Sequence, residues 1–183
     1  VDLATEILCT FVPDDGKELI HEACLNAYGK GLFPKNVVPV KKAGDVYVAE
    51  LFHGQAAAFK DMALSLLPYL MTLSLKQLNE QREVMILAAT SGDTGKAALE
   101  GFKDVEGTCI KVFYPLDGVS AIQQQQMVSQ TGKNVKVIGI HGNFDDAQTA
   151  VKKAFASKEL KEASDKHNVC LSSANSINIG RLI

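Results

Sequence analysis

The sequence has no Cys-x-x-Cys spacing among its four cysteines, no apolar run long enough to span a bilayer, and no surplus of either charge. Each absence excludes something. Cys9, Cys24, Cys109 and Cys170 lie too far apart to read as a metal-binding or redox pair, and Cys109 and Cys170, set in apolar runs, read as small buried hydrophobes. Such usage fits a reducing cytosol, so the expected location is cytoplasmic. The longest apolar stretch, residues 63–75, is broken by Ser65, Pro68 and Thr72, and it falls short of the roughly 18–20 residues that a spanning helix needs. The opening segment, Val1-Asp2-Leu3-Ala4-Thr5-Glu6, has no secretory pattern. With 19 Lys and Arg against 21 Asp and Glu, the formal charge is −2. That balance offers no basic face for nucleic acid, and Lys41-Lys42 and Lys152-Lys153 read as solvated surface.

What remains is ordinary globular composition. The 183 residues are 46% hydrophobic and 22% charged, enough for one substantial core and at most two small domains. Residues 3–11 and 17–28 carry apolar side chains at helical spacing, with Gly29 and Gly31 as a stop. A short β-type run covers 46–51. A helix is expected to start near Phe59-Lys60-Asp61 and to run through the 70s, bent or divided at Pro68. Beyond it the pattern predicts strands over 83–89, 108–114, 134–140 and 169–171, helices over 94–102, 119–131 and 145–156, and a last helix from Asn175. The glutamines at 123–126 read as an exposed helix face.

Strands apolar on both faces, alternating with helices, predict an α/β fold with a mostly parallel sheet covered by helices on both faces. The expected organisation is an N-terminal helical segment with its first strand over residues 1–50, followed by an α/β core over 51–183. A final helix with a start and no stop signal, at Gly180-Arg181-Leu182-Ile183, predicts a piece of a longer protein.

Three motifs carry chemistry. In the first, Leu51-Phe52-His53-Gly54-Gln55-Ala56-Ala57-Ala58-Phe59-Lys60-Asp61, a lysine stands where a helix begins. Desolvated there, its amine becomes a nucleophile towards an aldehyde, although a lysine in a first helical turn is ordinarily a solvated charge. The second, Thr90-Ser91-Gly92-Asp93-Thr94-Gly95, lies between a strand and a helix. Its N–H groups can capture a carboxylate or phosphate, and turn and capping chemistry explains part of its composition. It is not a P-loop, because Lys96 follows the second glycine without the required Ser or Thr. Together these suggest the two halves of a pyridoxal-phosphate site. The third, Ser172-Ser173-Ala174-Asn175-Ser176-Ile177-Asn178-Ile179-Gly180-Arg181, reads either as a helix capped by Asn175 or Ser176, or as a second anion site with one arginine.

In this order and spacing the three motifs resemble the threonine synthase family, pyridoxal-phosphate enzymes of the tryptophan-synthase-β-like fold (fold type II). The resemblance covers nearly the whole chain, including Val112-Phe113-Tyr114-Pro115 and Gly142-Asn143-Phe144-Asp145-Asp146-Ala147. It implies that Lys60 carries the pyridoxal 5'-phosphate cofactor covalently. Ser91 and Asp93 would lie beside that cofactor, Asp93 standing where many relatives have asparagine. Thr90, Ser91 and Thr94 would meet the substrate carboxylate, and Asn175, Ser176 and Arg181 the substrate phosphate. The implied activity is a carbon–oxygen lyase reaction that turns O-phospho-L-homoserine and water into L-threonine and phosphate.

Two departures stand out. Gln55-Ala56 replaces the family's Pro-Thr, which loosens the turn into the lysine helix and removes a hydroxyl. The glycine-rich cradle for the cofactor's own phosphate lies, in the family, downstream of the third motif, so this stretch alone is expected to bind cofactor weakly or not at all. Another lyase of the same fold, or a non-catalytic relative, remains an alternative.

Overall fold

The computed structural model describes residues 1–12, 16–175 and 178–183. Two short helices open the chain, α1 (Asp2–Cys9) and α2 (Lys17–Cys24), the latter continued by a π-helical turn over Leu25–Gly29. An antiparallel hairpin follows, β1 (Val40–Ala43) with β2 (Val46–Ala49), exposed along both strands. Only the second of these strands was legible in the pattern. The lysine helix is divided as Pro68 requires, into α3 (Asp61–Leu64) and α4 (Leu67–Gln77), with the proline in the first turn of α4, where no N–H is needed.

The remainder alternates: β3 (Glu83–Ala89), α5 (Asp93–Phe102), β4 (Thr108–Pro115), α6 (Ala121–Val128), β5 (Val135–Ile140), α7 (Phe144–Ala156), α8 (Lys158–Lys166) and β6 (Val169–Ser172). The four strands form one parallel sheet in the order β5-β4-β3-β6. Chain order thus runs outward from β3 to β5 and then returns to the other side of β3. Right-handed crossovers in opposite directions place helices on both faces: α5 packs on β4 and α6 on α5, whereas α7 packs on β3 and β4 and α8 on β6. The expected α/β architecture is the one observed.

α8 escaped the sequence reading because its residues are polar nearly all round, with Ser157 supplying the cap through its hydroxyl. The helix expected from Asn175 is not formed among the described residues. A single 3₁₀ turn over Ile179–Leu182 takes its place, with the Asn178 side chain accepting from the Gly180 N–H at 2.8 Å. A flanking amide can satisfy a turn without nucleating a longer helix, which is costly to start.

Two cores hold these layers. One lies beneath the sheet, built from Ile86, Leu99, Phe102, Ile110, Val112 and Met127, all fully buried. The other joins the N-terminal helices to α3 and α4 through Leu8, Cys24, Ala27, Tyr28 and Leu66, and the Tyr28 hydroxyl donates to the Met62 carbonyl at 2.5 Å. The cysteines divide differently from expectation: Cys24 is buried, while Cys109 and Cys170 are half-buried, Cys109 on the less covered face of β4 and Cys170 on the edge strand β6 against the core. No helix among the described residues is long and apolar enough to cross a membrane. The reversal of strand order between β3 and β6 creates a switch point at their carboxyl ends, where open α/β sheets bind ligands.

Candidate active site

The turn before α3 is held from within. Asp61, 2% exposed, accepts at Oδ2 from the Ala56 N–H at 3.0 Å and the Ala58 N–H at 3.4 Å. Burial pushes its carboxyl pKa up, opposed by those two hydrogen bonds. Gly54 is required by this packing, because a Cβ there would stand 2.4 Å from the Asp61 oxygen. Ala57 takes a positive φ of 51° to complete the turn. The turn that Gln55-Ala56 was expected to loosen is therefore pinned by the aspartate after the lysine. Lys60 follows as the residue capping α3, half-buried, with its Nζ 5.0 Å from the centre of the Phe59 ring.

Arg181 approaches the same ring from the other motif, its Cζ 5.3 Å from the centroid. The 3₁₀ turn carries it there by docking on α3. Asn178 Nδ2 donates to the Ala63 carbonyl at 3.4 Å and to the Asn175 carbonyl at 2.7 Å, and Gly180 lies so near that a Cβ would be 3.1 Å from Ala63 Cα. Two cations thus lie within cation–π range of one aromatic ring. Asn175 is exposed; Ser176 lies outside the described residues.

The second motif forms the turn from β3 into α5. Thr90 is 1% exposed, and its Oγ1 accepts from the Gly92 N–H at 3.0 Å and the Gly95 N–H at 2.8 Å. The cap is thus supplied from inside the loop, while Gly92, the residue at the Ncap position with φ 139°, makes no side-chain bond. A Cβ on Gly95 would come within 2.4 Å of Thr90 Cγ2. Ser91 is exposed and Thr94 half-buried at the outer edge of the same turn.

Asp93 Oδ1 receives the Gln123 Nε2 at 2.9 Å and the Lys96 Nζ at 3.2 Å. The hydrogen bond from Gln123 is the leading reason that its carboxyl is held below the usual range; Lys96 adds to this, and the charge of Lys60 contributes in the same direction. Lys60, Asp93 and Arg181 are therefore brought to one end of the sheet, with Ser91 and Thr94 on the rim. Sequence reasoning missed Asp61, Lys96 and Gln123. The glutamine was legible through its Ser120-x-x-Gln123 spacing, a capping box that α6 does form. Its reading as an exposed face is corrected: Gln123, Gln124 and Gln126 are half-buried, and Gln124 Nε2 donates to the Tyr114 hydroxyl at 3.1 Å.

Comparison with known proteins bears on the fold and the sequence as a whole. No protein-family model matches the chain. The threonine synthase of Buchnera aphidicola subsp. Schizaphis graminum is 40% identical over 182 residues, covering 98% of this chain and 39% of that protein. The threonine synthase of Saccharomyces cerevisiae is 34% identical over 196 residues, covering 100% of this chain and 37% of that protein. Among solved structures, yeast threonine synthase superposes with a TM-score of 0.85 at 31% identity, over 99% of this chain and 36% of that one. The PLP-bound threonine synthase from Brucella melitensis does so with a TM-score of 0.74 at 39% identity, over 92% and 34%. The chain spans about two fifths of the length of these relatives. Over that span, in sequence and in fold, this chain is a relative of the threonine synthases.

Proposed function

We propose that this chain carries the lysine-bearing part of a pyridoxal-phosphate lyase with threonine synthase activity, converting O-phospho-L-homoserine and water into L-threonine and phosphate. The observation that carries the reading is the meeting of Lys60, Asp93 and Arg181 at the carboxyl end of a parallel sheet, at its switch point. The donor set fits the aldehyde and ring end of pyridoxal 5'-phosphate: a half-buried primary amine on a pinned turn, and an ionised carboxylate facing it. When bound, that cofactor supplies an electron sink for the pair released at the substrate Cα.

The remaining work belongs to the chain. The Lys60 amine takes the proton from Cα and returns one as the product forms, a role worth ~10²–10⁴-fold when the amine is neutral and within hydrogen-bond reach. Ser91 and Thr94, on the turn that Thr90 holds from beneath, offer hydroxyls and N–H groups to the substrate carboxylate. Arg181, with Asn175 and Ser176, meets the phosphate that leaves. A dianionic leaving group needs a cation set in advance, and Phe59 holds the guanidinium where one is required.

The test is borohydride reduction of the full-length protein after addition of pyridoxal phosphate, with the adduct mapped by mass spectrometry. The adduct is expected on Lys60, and Lys60→Ala should lose both adduct and turnover. An adduct on another lysine would overturn the assignment, and release of an α-keto acid in place of threonine would move the reaction to a dehydratase.

A further inference from the structure

We propose that Gln123 is a positioning residue for the Asp93 carboxylate, holding its Oδ1 so that Oδ2 is presented to the bound cofactor or substrate. The inference rests on the pyridoxal reading of Lys60 and Asp93 given above.

Four observations support it. First, the orientation of the glutamine amide is settled by its surroundings. Its Oε1 accepts from the Ser120 N–H at 3.3 Å and the Ser120 hydroxyl at 3.2 Å, so the donor end must face Asp93. Second, the glutamine is packed onto the turn. A Cβ on Gly92 would stand 2.4 Å from Gln123 Cδ, and this glycine has a φ of 139°, so the turn leaves room for the amide by geometry as well as by composition. Third, both partners of Asp93 meet Oδ1, and among the described residues no donor meets Oδ2. Fourth, the groups facing Asp93 come from three elements: Lys96 from its own helix, Lys60 from the start of α3 and Gln123 from α6. The two lysines supply charge, whereas the glutamine alone supplies a neutral donor of fixed direction.

Capping does not account for this arrangement. A capping box uses only the Oε1 of its third residue, and glutamate serves there as well as glutamine. Nothing in the cap of α6 needs the Nε2 that reaches Asp93.

That distinction defines the experiment. In the full-length protein Gln123→Glu preserves shape and cap while placing a carboxylate oxygen where Asp93 now finds a donor. Its Tm should fall by only a few degrees at neutral pH, the loss that goes with a one-unit rise in one carboxyl pKa. The Asp93 carboxyl pKa, read by carbon-13 NMR in the apoprotein, should rise by about one unit, and the affinity for pyridoxal phosphate should fall about tenfold, the equivalent of one such unit. In an Asp93→Asn background the same change should leave cofactor affinity unmoved. Should Gln123→Glu fail to fold, Gln123→Met removes the donor without adding charge, and the same pair of readouts should move in the same direction by less.

An unmoved Asp93 pKa, or a loss of affinity that persists with Asp93→Asn, overturns the proposal. A parent protein that takes no cofactor on Lys60 refutes the preceding section instead, and the NMR measurement still decides whether Gln123 governs Asp93.

Discussion

Two aspartates open the two helices that meet at the site, and the fold uses them in opposite ways. Asp61 begins α3, buried, turned back on its own turn to accept two backbone N–H groups, its carboxyl pKa pushed up by burial. Asp93 begins α5, its side chain 40% exposed, bonded outward to side chains on two helices, its carboxyl pKa held down, chiefly by Gln123. The difference lies in who closes each turn. In the turn into α5 the backbone donors are taken by Thr90 Oγ1. With that need met from inside the loop, Asp93 is left available for a ligand. Before α3 no hydroxyl occupies the equivalent place, Ala56 being apolar and buried, and the aspartate itself does the work. One carboxylate is scaffold and the other faces outward.

The sharpest way to break the comparison is to remove the scaffold member. Asp61→Ala leaves two buried N–H groups without acceptors, each costing about 1–3 kcal/mol, so a total near 3 kcal/mol and a clear fall in Tm are expected. Asp61→Asn, which retains an acceptor, should lose much less. Thermal melts of the two variants of the full-length protein check this, and equal losses would show that charge rather than acceptance holds the turn. Lys60 should feel the loosened turn as well, through slower borohydride trapping in Asp61→Ala than in Asp61→Asn.

The next largest effect belongs to Thr90. Thr90→Val keeps the volume beneath Gly95 but deletes the acceptor for the Gly92 and Gly95 N–H groups, with an expected loss of about 2 kcal/mol. Thr90→Ser keeps the acceptor and should lie much nearer the parent. Denaturant midpoints decide it. If Asp93 is free because Thr90 caps the turn, Thr90→Val should also draw Asp93 inward and raise its carboxyl pKa. An unchanged Asp93 in a destabilised Thr90→Val would separate the two roles. At the second motif, Asn178→Ala removes a cap and the tie to the Ala63 carbonyl. It should cost about 1 kcal/mol, with weaker binding of the phosphorylated substrate as Arg181 loses its seat beside Phe59.

How far the sequence foretold this depends on what each residue answers to. The parallel sheet was legible because β3 and β4 are apolar on both faces, a pattern that survives any detail of packing. The Thr90 turn was legible because strand, glycine and helix follow one another, and Pro68 announced the break between α3 and α4. Asp61 was not singled out, since its partners are backbone amides of a turn whose path local propensity does not set. Gln123 was misread because its partner lies 30 residues earlier, on another helix. The Asn175–Arg181 segment was read as a helix because small polar residues before an apolar pair look like a cap. Among the described residues, docking on α3 closes Ile179–Leu182 instead as a single 3₁₀ turn. Contacts between elements escaped, and within elements the weakly patterned ones, the exposed β1 and the polar α8, escaped too.

The smallest predicted effect is the most diagnostic, because it sets the two carboxylates against each other in one titration. A group whose folded pKa is raised contributes stability below its unfolded value and loses it as pH rises through the folded value; a depressed group contributes above its unfolded value and loses it as pH falls. Asp61 is of the first kind and Asp93 of the second. Measured as the stability of the parent minus that of the asparagine variant, over roughly pH 3 to 6 where carboxyls titrate, the Asp61 difference should shrink as pH rises. The Asp93 difference should grow over the same window. Urea midpoints of the parent, Asp61→Asn and Asp93→Asn at several pH values read both. Because Asp93 is partly open to solvent, its slope should be shallower and should flatten in high salt, where exposed charges are screened, while the Asp61 slope should persist. Parallel slopes would mean that both aspartates sit in one electrostatic environment, and the division between a carboxylate that builds the site and one that serves it would not stand.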